Sequence, residues 1–373
     1  MKPFKTFVFL VFIITLYSCN KKEQFDVLIL QGQILDGSGN ASYIGDIGIN
    51  ADTIAAIGNL KEAKGLKEID ATGLAVAPGF INMLSWATES LIEDGRSMSD
   101  IKQGVTLEIF GEGWSMGPIN EEMRKEWLKD QGDIKYDINW TTLDEYLQYL
   151  VNKGISTNVA SFIGATTLRI YTVGYEDRAP TQEELETMKS LVQQAMEDGA
   201  LGIGSSLIYA PAFYSSTEEL IELCKVASAY DGMYISHLRS EGPKLLESLD
   251  ELIRIAKEAN IRAEVYHLKQ SGQDNWNKLE NVITKIDSAR TAGLQITTDM
   301  YTYIAGATGL DASMPPWVQE GGFDKWAERL QDSKLREKAL KEMTSPTDEW
   351  ENLLQASGSA DKFFLSGILN CHF

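Results

Sequence analysis

Histidine is scarce in this chain, with three in 373 residues, at positions 237, 267 and 372. His237 opens the stretch H-L-R-S-E-G, and His267 opens H-L-K-Q-S-G. The two stretches share the form H-L-basic-x-x-G, stand 30 residues apart, and each follows an apolar run. Neighbouring strands lie about 4.8 Å apart, so two imidazoles at their ends can converge on one metal ion at about 2.0–2.1 Å each. A third ligand is needed, and Glu112 in Gly111-Glu112-Gly113 is the candidate. The competing readings are two hydrogen-bonded interior histidines and a solvated turn carboxylate. His372 and Cys371 fall in the last three residues and read as tail. The cysteines at 19, 224 and 371 make neither a disulfide framework nor a CxxC pair. Cys224 sits in a helical pattern and reads as a buried apolar residue. No dinucleotide fingerprint, P-loop or nucleophile elbow occurs.

The segments that must position these residues alternate. Residues 25–77 read as short strands and turns, with a turn signal at Asp36-Gly37-Ser38-Gly39, and suggest a small β-sandwich or β-roll. After Ala77, seven strand-like runs (76–84, 104–113, 157–165, 200–209, 232–242, 262–272 and 294–303) alternate with helical stretches. The clearest helix follows Thr181, with acids in its first turn and Gly199 as its stop. This is an α/β pattern, and the 30-residue spacing of the two histidine endings matches one unit of a (β/α)8 TIM-type barrel, roughly 31 residues. Each His then lies at the C-terminal end of a strand, where such barrels carry their chemistry. No eighth strand follows Tyr303, so the expectation is an incomplete barrel over 78–373.

Composition narrows the function. Apolar residues make up 43% and charged residues 24%, which excludes a disordered chain, a collagen and a polytopic membrane protein. The net charge of −20 argues against a nucleic-acid partner, which needs a basic footprint. An anionic ligand needs a local cation here. At the N-terminus, Lys2 and Lys5 precede a short apolar run that ends Leu16-Tyr17-Ser18-Cys19. This resembles a bacterial lipobox, with residues 1–19 as signal and lipobox, Cys19 carrying lipid, and 20–24 as a tether. It implies a protein outside the cytoplasm, in the cell envelope, touching the membrane by its lipid anchor alone.

Taken together, VLILQGQILDGSG, GDIGINADTIAAIG, IDATGLAVAPGFIN, SHLRSEG, HLKQSGQDNW and DMYTYIAGATGLDASMPPWVQEGG resemble the amidohydrolase superfamily. The branch is that of the N-acyl-D-amino-acid deacylases. The resemblance implies a zinc hydrolase of linear amide bonds acting on a small-molecule N-acyl amino acid. His237 and His267 match the strand-end zinc ligands, and Glu112 stands where the branch has a bridging Cys. Lys269, Tyr209 and Tyr301 match positions that hold the substrate. The branch's H-x-H pair is replaced by Leu84 and Trp86, which cannot bind metal, so one zinc ion is expected. The branch's proton-handling Asp on an eighth strand falls beyond residue 373, so the chain reads as C-terminally truncated. Two other readings stay open. One is a non-catalytic remnant or ligand-binding lipoprotein on the same scaffold, and the other a cyclic amidase or dipeptidase.

Overall fold

A computed structural model describes residues 23–363. Lys2, Lys5, Cys19, Cys371 and His372 lie outside the described residues. The chain divides into two compact units, Met1–Gly79 and Phe80–Phe373.

The first unit is built on one long strand, β1 (Gln24–Ile34), whose Phe25, Leu28 and Ile34 are buried. It pairs antiparallel with β2 (Tyr43–Asn50), which pairs antiparallel with β3 (Thr53–Gly58). Along its other edge β1 pairs in parallel with β4 (Lys64–Asp70) and then with β5 (Ala75–Val76). The expected sandwich is therefore a single mixed sheet. The reason is the length of β1, which gives all its neighbours one shared partner. A bulge interrupts its register between Ile29 and Gly32. There the backbone N–H of Gln31, at φ 58°, donates to the buried Asp46 carboxylate at 2.8 Å.

The second unit carries parallel strands joined by helices. One sheet runs β6 (Phe80–Asn82), β7 (Val105–Phe110), β8 (Asn158–Ser161). The other runs β9 (Ile163–Gly164), β10 (Gly202–Ser206), β11 (Met233–His237), β12 (Arg262–Val265), β13 (Ile296–Thr298). Backbone hydrogen bonds from Phe162 N to Phe110 O, 2.9 Å, and from Leu201 N to Ser161 O, 3.0 Å, link the two runs. Among the described residues no pairing joins β13 to β6, so the parallel array is open.

The helices follow local sequence rules. Thr181 and Glu184 form a reciprocal capping box on Gln182–Glu197, and Gly199 leaves that helix at φ 100°. The helix Leu245–Glu258 buries Leu245, Leu249, Leu252, Ile255 and Ala256, the spacing of one helical face. The large core lies between such helices and one face of the strands, where Phe110, Ile203, Tyr234 and Val265 are buried. A smaller cluster of Ile109, Phe162, Ile235 and Tyr266 fills the opposite face, with Met83 and Leu84 packed on it. The site is built at the edge of this second cluster.

Candidate metal centre

Side chains alternate along a strand, so His237 faces the same way as Ile235, toward the smaller cluster. Alternation alone would turn His267 away, because Tyr266 before it lies in that cluster. His267 instead adopts φ 35°, a left-handed conformation unusual for a residue with a Cβ. The turn breaks the alternation and brings the imidazole back, 4.6 Å from that of His237 between ring centroids. Gly111 does the same after β7. Its φ of 106° re-aims the next residue, Glu112, and a Cβ on it would meet Phe162 O at 2.4 Å. Backbone strain of this kind, costing on the order of 1–3 kcal/mol at a non-glycine residue, clusters at functional sites.

The three sequence candidates come together. Glu112 Oε1 lies 3.2 Å from His237 Nδ1 and 3.1 Å from His267 Nε2. One ligand atom from each residue falls within 4.8 Å of the others, and all three residues are buried. Atoms about 2.0–2.1 Å from a tetrahedral ion stand roughly 3.3–3.4 Å apart, so the two carboxylate–imidazole spacings suit ligands of one ion. Burial pushes the Glu112 carboxyl up, but hydrogen bonds and charge from His237 and His267 overcome it and hold it at about 2. Burial pulls His267 down, yet Glu112 on one side and Glu241 on the other raise it to about 9.

Sequence reasoning missed Glu241. It is buried behind both rings, with Oε1 at 3.1 Å from His267 Nδ1 and Oε2 at 3.8 Å from His237 Nε2. His237 Nε2 has no hydrogen-bond partner among the described residues. A carboxylate behind a ligating imidazole fixes its tautomer and orientation. The available signal was position. Glu241 is the fifth residue of the H-L-R-S-E-G ending, where the other ending has Ser271. Two further partners were also missed. Trp86 Nε1 donates to Glu112 Oε2 at 3.0 Å, and Asp299 Oδ1 accepts from the His267 backbone N–H at 2.7 Å.

The three residues expected to hold substrate are placed around the centre in different ways. Lys269 Nζ donates to Glu241 Oε1 at 2.6 Å and lies 3.0 Å from His267 Nδ1, so its charge is already engaged. It also stands 5.7 Å over the Tyr301 ring. Tyr301 is half-buried, 6.5 Å from the His267 ring. The Tyr209 ring meets His237 edge-on at 5.4 Å, and its hydroxyl is 2.8 Å from Thr308 Oγ1. Leu84 belongs to the apolar packing and Trp86 is 59% exposed.

No family model matches the chain. A D-aminoacylase from Alcaligenes xylosoxydans xylosoxydans is 33% identical over 297 residues, 79% of this chain and 60% of that protein. Over these residues the chain is similar to D-aminoacylase. A solved D-aminoacylase, studied for its binuclear metal centre with one-metal activation and second-metal attenuation, superposes with a TM-score of 0.68 at 29% identity. That match covers 76% of this chain and 59% of the other. An N-acyl-D-glutamate deacylase from Bordetella bronchiseptica, solved with zinc and a phosphonate mimic of the tetrahedral intermediate, also gives 0.68 at 28% identity, covering 75% and 59%. The chain thus spans about three fifths of the length of these relatives.

Proposed function

We propose that these residues form the metal centre of a hydrolase that cleaves the linear amide bond of N-acyl amino acids, with the D-configured substrates of its relatives as the first choice. The observation that carries the reading is the buried convergence of Glu112, His237 and His267 on one point. A single zinc ion held there would polarise the amide carbonyl and lower the pKa of an attacking water. Glu241 orients His267 through Nδ1, and Lys269 neutralises Glu241. With both imidazoles neutral, as metal ligands must be, the two carboxylates against one ammonium leave the cluster one negative charge. A divalent cation reverses that to one positive, which suits an anionic substrate in a chain of net charge −20. Tyr209 and Tyr301 flank the centre as substrate-contacting side chains.

The test is turnover by the purified protein on N-acetyl-D- and N-acetyl-L-amino acids, with a cyclic amide and a dipeptide for comparison. The expected result is release of the free D-amino acid that stops with a chelator, returns with zinc, and is absent in His237→Asn. Zinc binding without turnover of any amide would contradict catalysis and favour a ligand-binding role on the same scaffold.

Attachment to the bacterial envelope through a lipid on Cys19 is part of the same proposal, supported by the sequence around that residue. No helix among the described residues is long and apolar enough to cross a membrane. Replacing Cys19 with Ser is expected to release the protein from the membrane fraction. Continued retention would contradict the anchor.

A further inference from the structure

Glu112 offers its two oxygens to different neighbours. Oε1 faces His237 Nδ1 and His267 Nε2, while Oε2 accepts a 3.0 Å hydrogen bond from Trp86 Nε1. Trp86 lies just past β6 and leaves 59% of its surface in solvent, yet directs its single polar atom at a buried carboxylate. An indole N–H is a donor and has no lone pair for a metal. Leu84, two residues earlier, packs on the apolar cluster of Ile109, Phe162, Ile235 and Tyr266 and offers no donor atom either.

We infer that Trp86 is a positioning residue that holds this centre to one ion. Its N–H engages Glu112 Oε2, so Oε1 would be the oxygen offered to a metal and Oε2 would be disfavoured as a bridge to a second ion. The bond also fixes the carboxylate plane. Glu112 follows the φ 106° turn at Gly111, and its backbone carbonyl accepts from Ser206 Oγ at 3.0 Å, so the side-chain end is the part left for Trp86 to orient. This inference deepens the metal reading above and rests on it.

The experiment is a zinc titration of metal-depleted protein against a chromophoric chelator, with bound zinc counted after gel filtration. It compares the native protein with Trp86→Phe and Trp86→His. The native protein is expected to hold one zinc per chain. Trp86→Phe keeps a ring of similar shape without the N–H, and its affinity is expected to fall about 10–100-fold, the usual cost of losing a group that orients a ligand. Trp86→His puts a ring nitrogen near Glu112 Oε2, and a second, weaker equivalent of zinc is expected. Native-like affinity in Trp86→Phe together with a single equivalent in Trp86→His would overturn the inference alone. So would two ions in the native protein. A native protein that binds no zinc would overturn the metal reading and this inference with it.

Discussion

His267 is gripped from both sides by carboxylates, Glu112 at Nε2 and Glu241 at Nδ1. One of them is suited to a metal and the other to the imidazole. Glu241 is held at about 2 against its burial by the charge of His237, a hydrogen bond from His267 and the charge of Lys269. It therefore stays ionised behind the rings throughout the neutral range. Changing Glu241 to Gln keeps its shape and removes that charge. Zinc affinity is expected to drop about 10–100-fold in a competition titration, and an unchanged affinity would contradict the orienting role. A second carboxyl behaves in the opposite sense. Burial pushes Glu264 up to about 7, the Thr297 hydroxyl at 2.6 Å opposes this, and nearby Asp299 adds to the rise. The folded state then holds a proton that the unfolded chain releases above about 4.5. Below that value both states are protonated and nothing is lost. As pH climbs through about 7 the Glu264 contribution to stability disappears. Urea melts of Glu264→Gln should gain on the native protein across this window, whereas parallel pH profiles would contradict the assignment.

At the scale of elements, the close approach of strand ends sets the centre. A Cβ on Gly204 in β10 would lie 1.8 Å from Gly111 O, and one on Gly164 would lie 2.2 Å from Gly113 O. The Gly111-Glu112-Gly113 turn is thus seated directly on the neighbouring backbones. Gly204→Ala is expected to push Gly111 and displace Glu112, lowering zinc content while the helical signal in circular dichroism persists. Full zinc content in that variant would show that the turn is not held there. The helix after Thr181 was legible because its cap, first-turn acids and Gly199 are local signals. The seven parallel runs were legible because apolar stretches alternate with helices. His237 and His267 were legible by their matched endings, but the match misleads at the basic residue. Arg239 pairs with Glu251 at 2.8 Å and with the backbone carbonyls of Phe213 and Ser215, while Lys269 joins the centre. Trp86 reaches Glu112 and Glu241 reaches His267 and Lys269 across 26 residues or more, and spacing along the chain carries no sign of those pairings; only the His237–Glu241 spacing of four was visible. The turn at His267 was equally hidden, since a left-handed histidine has no sequence signature. The sandwich expectation failed because strand patterns do not say how many neighbours one strand will serve.

Across the molecule, an acidic chain with net charge −20 concentrates two buried carboxylates and two imidazoles at one place. That set of carboxylate and imidazole donors suits a divalent cation. The central claim is therefore the ligand set itself. Zinc K-edge X-ray absorption on the zinc-loaded protein tests it most directly. The expected result is a shell of nitrogen and oxygen at about 2.0–2.1 Å, with the outer scattering of two imidazoles and no sulfur. A sulfur shell near 2.3 Å, or a shell without imidazole, would contradict it.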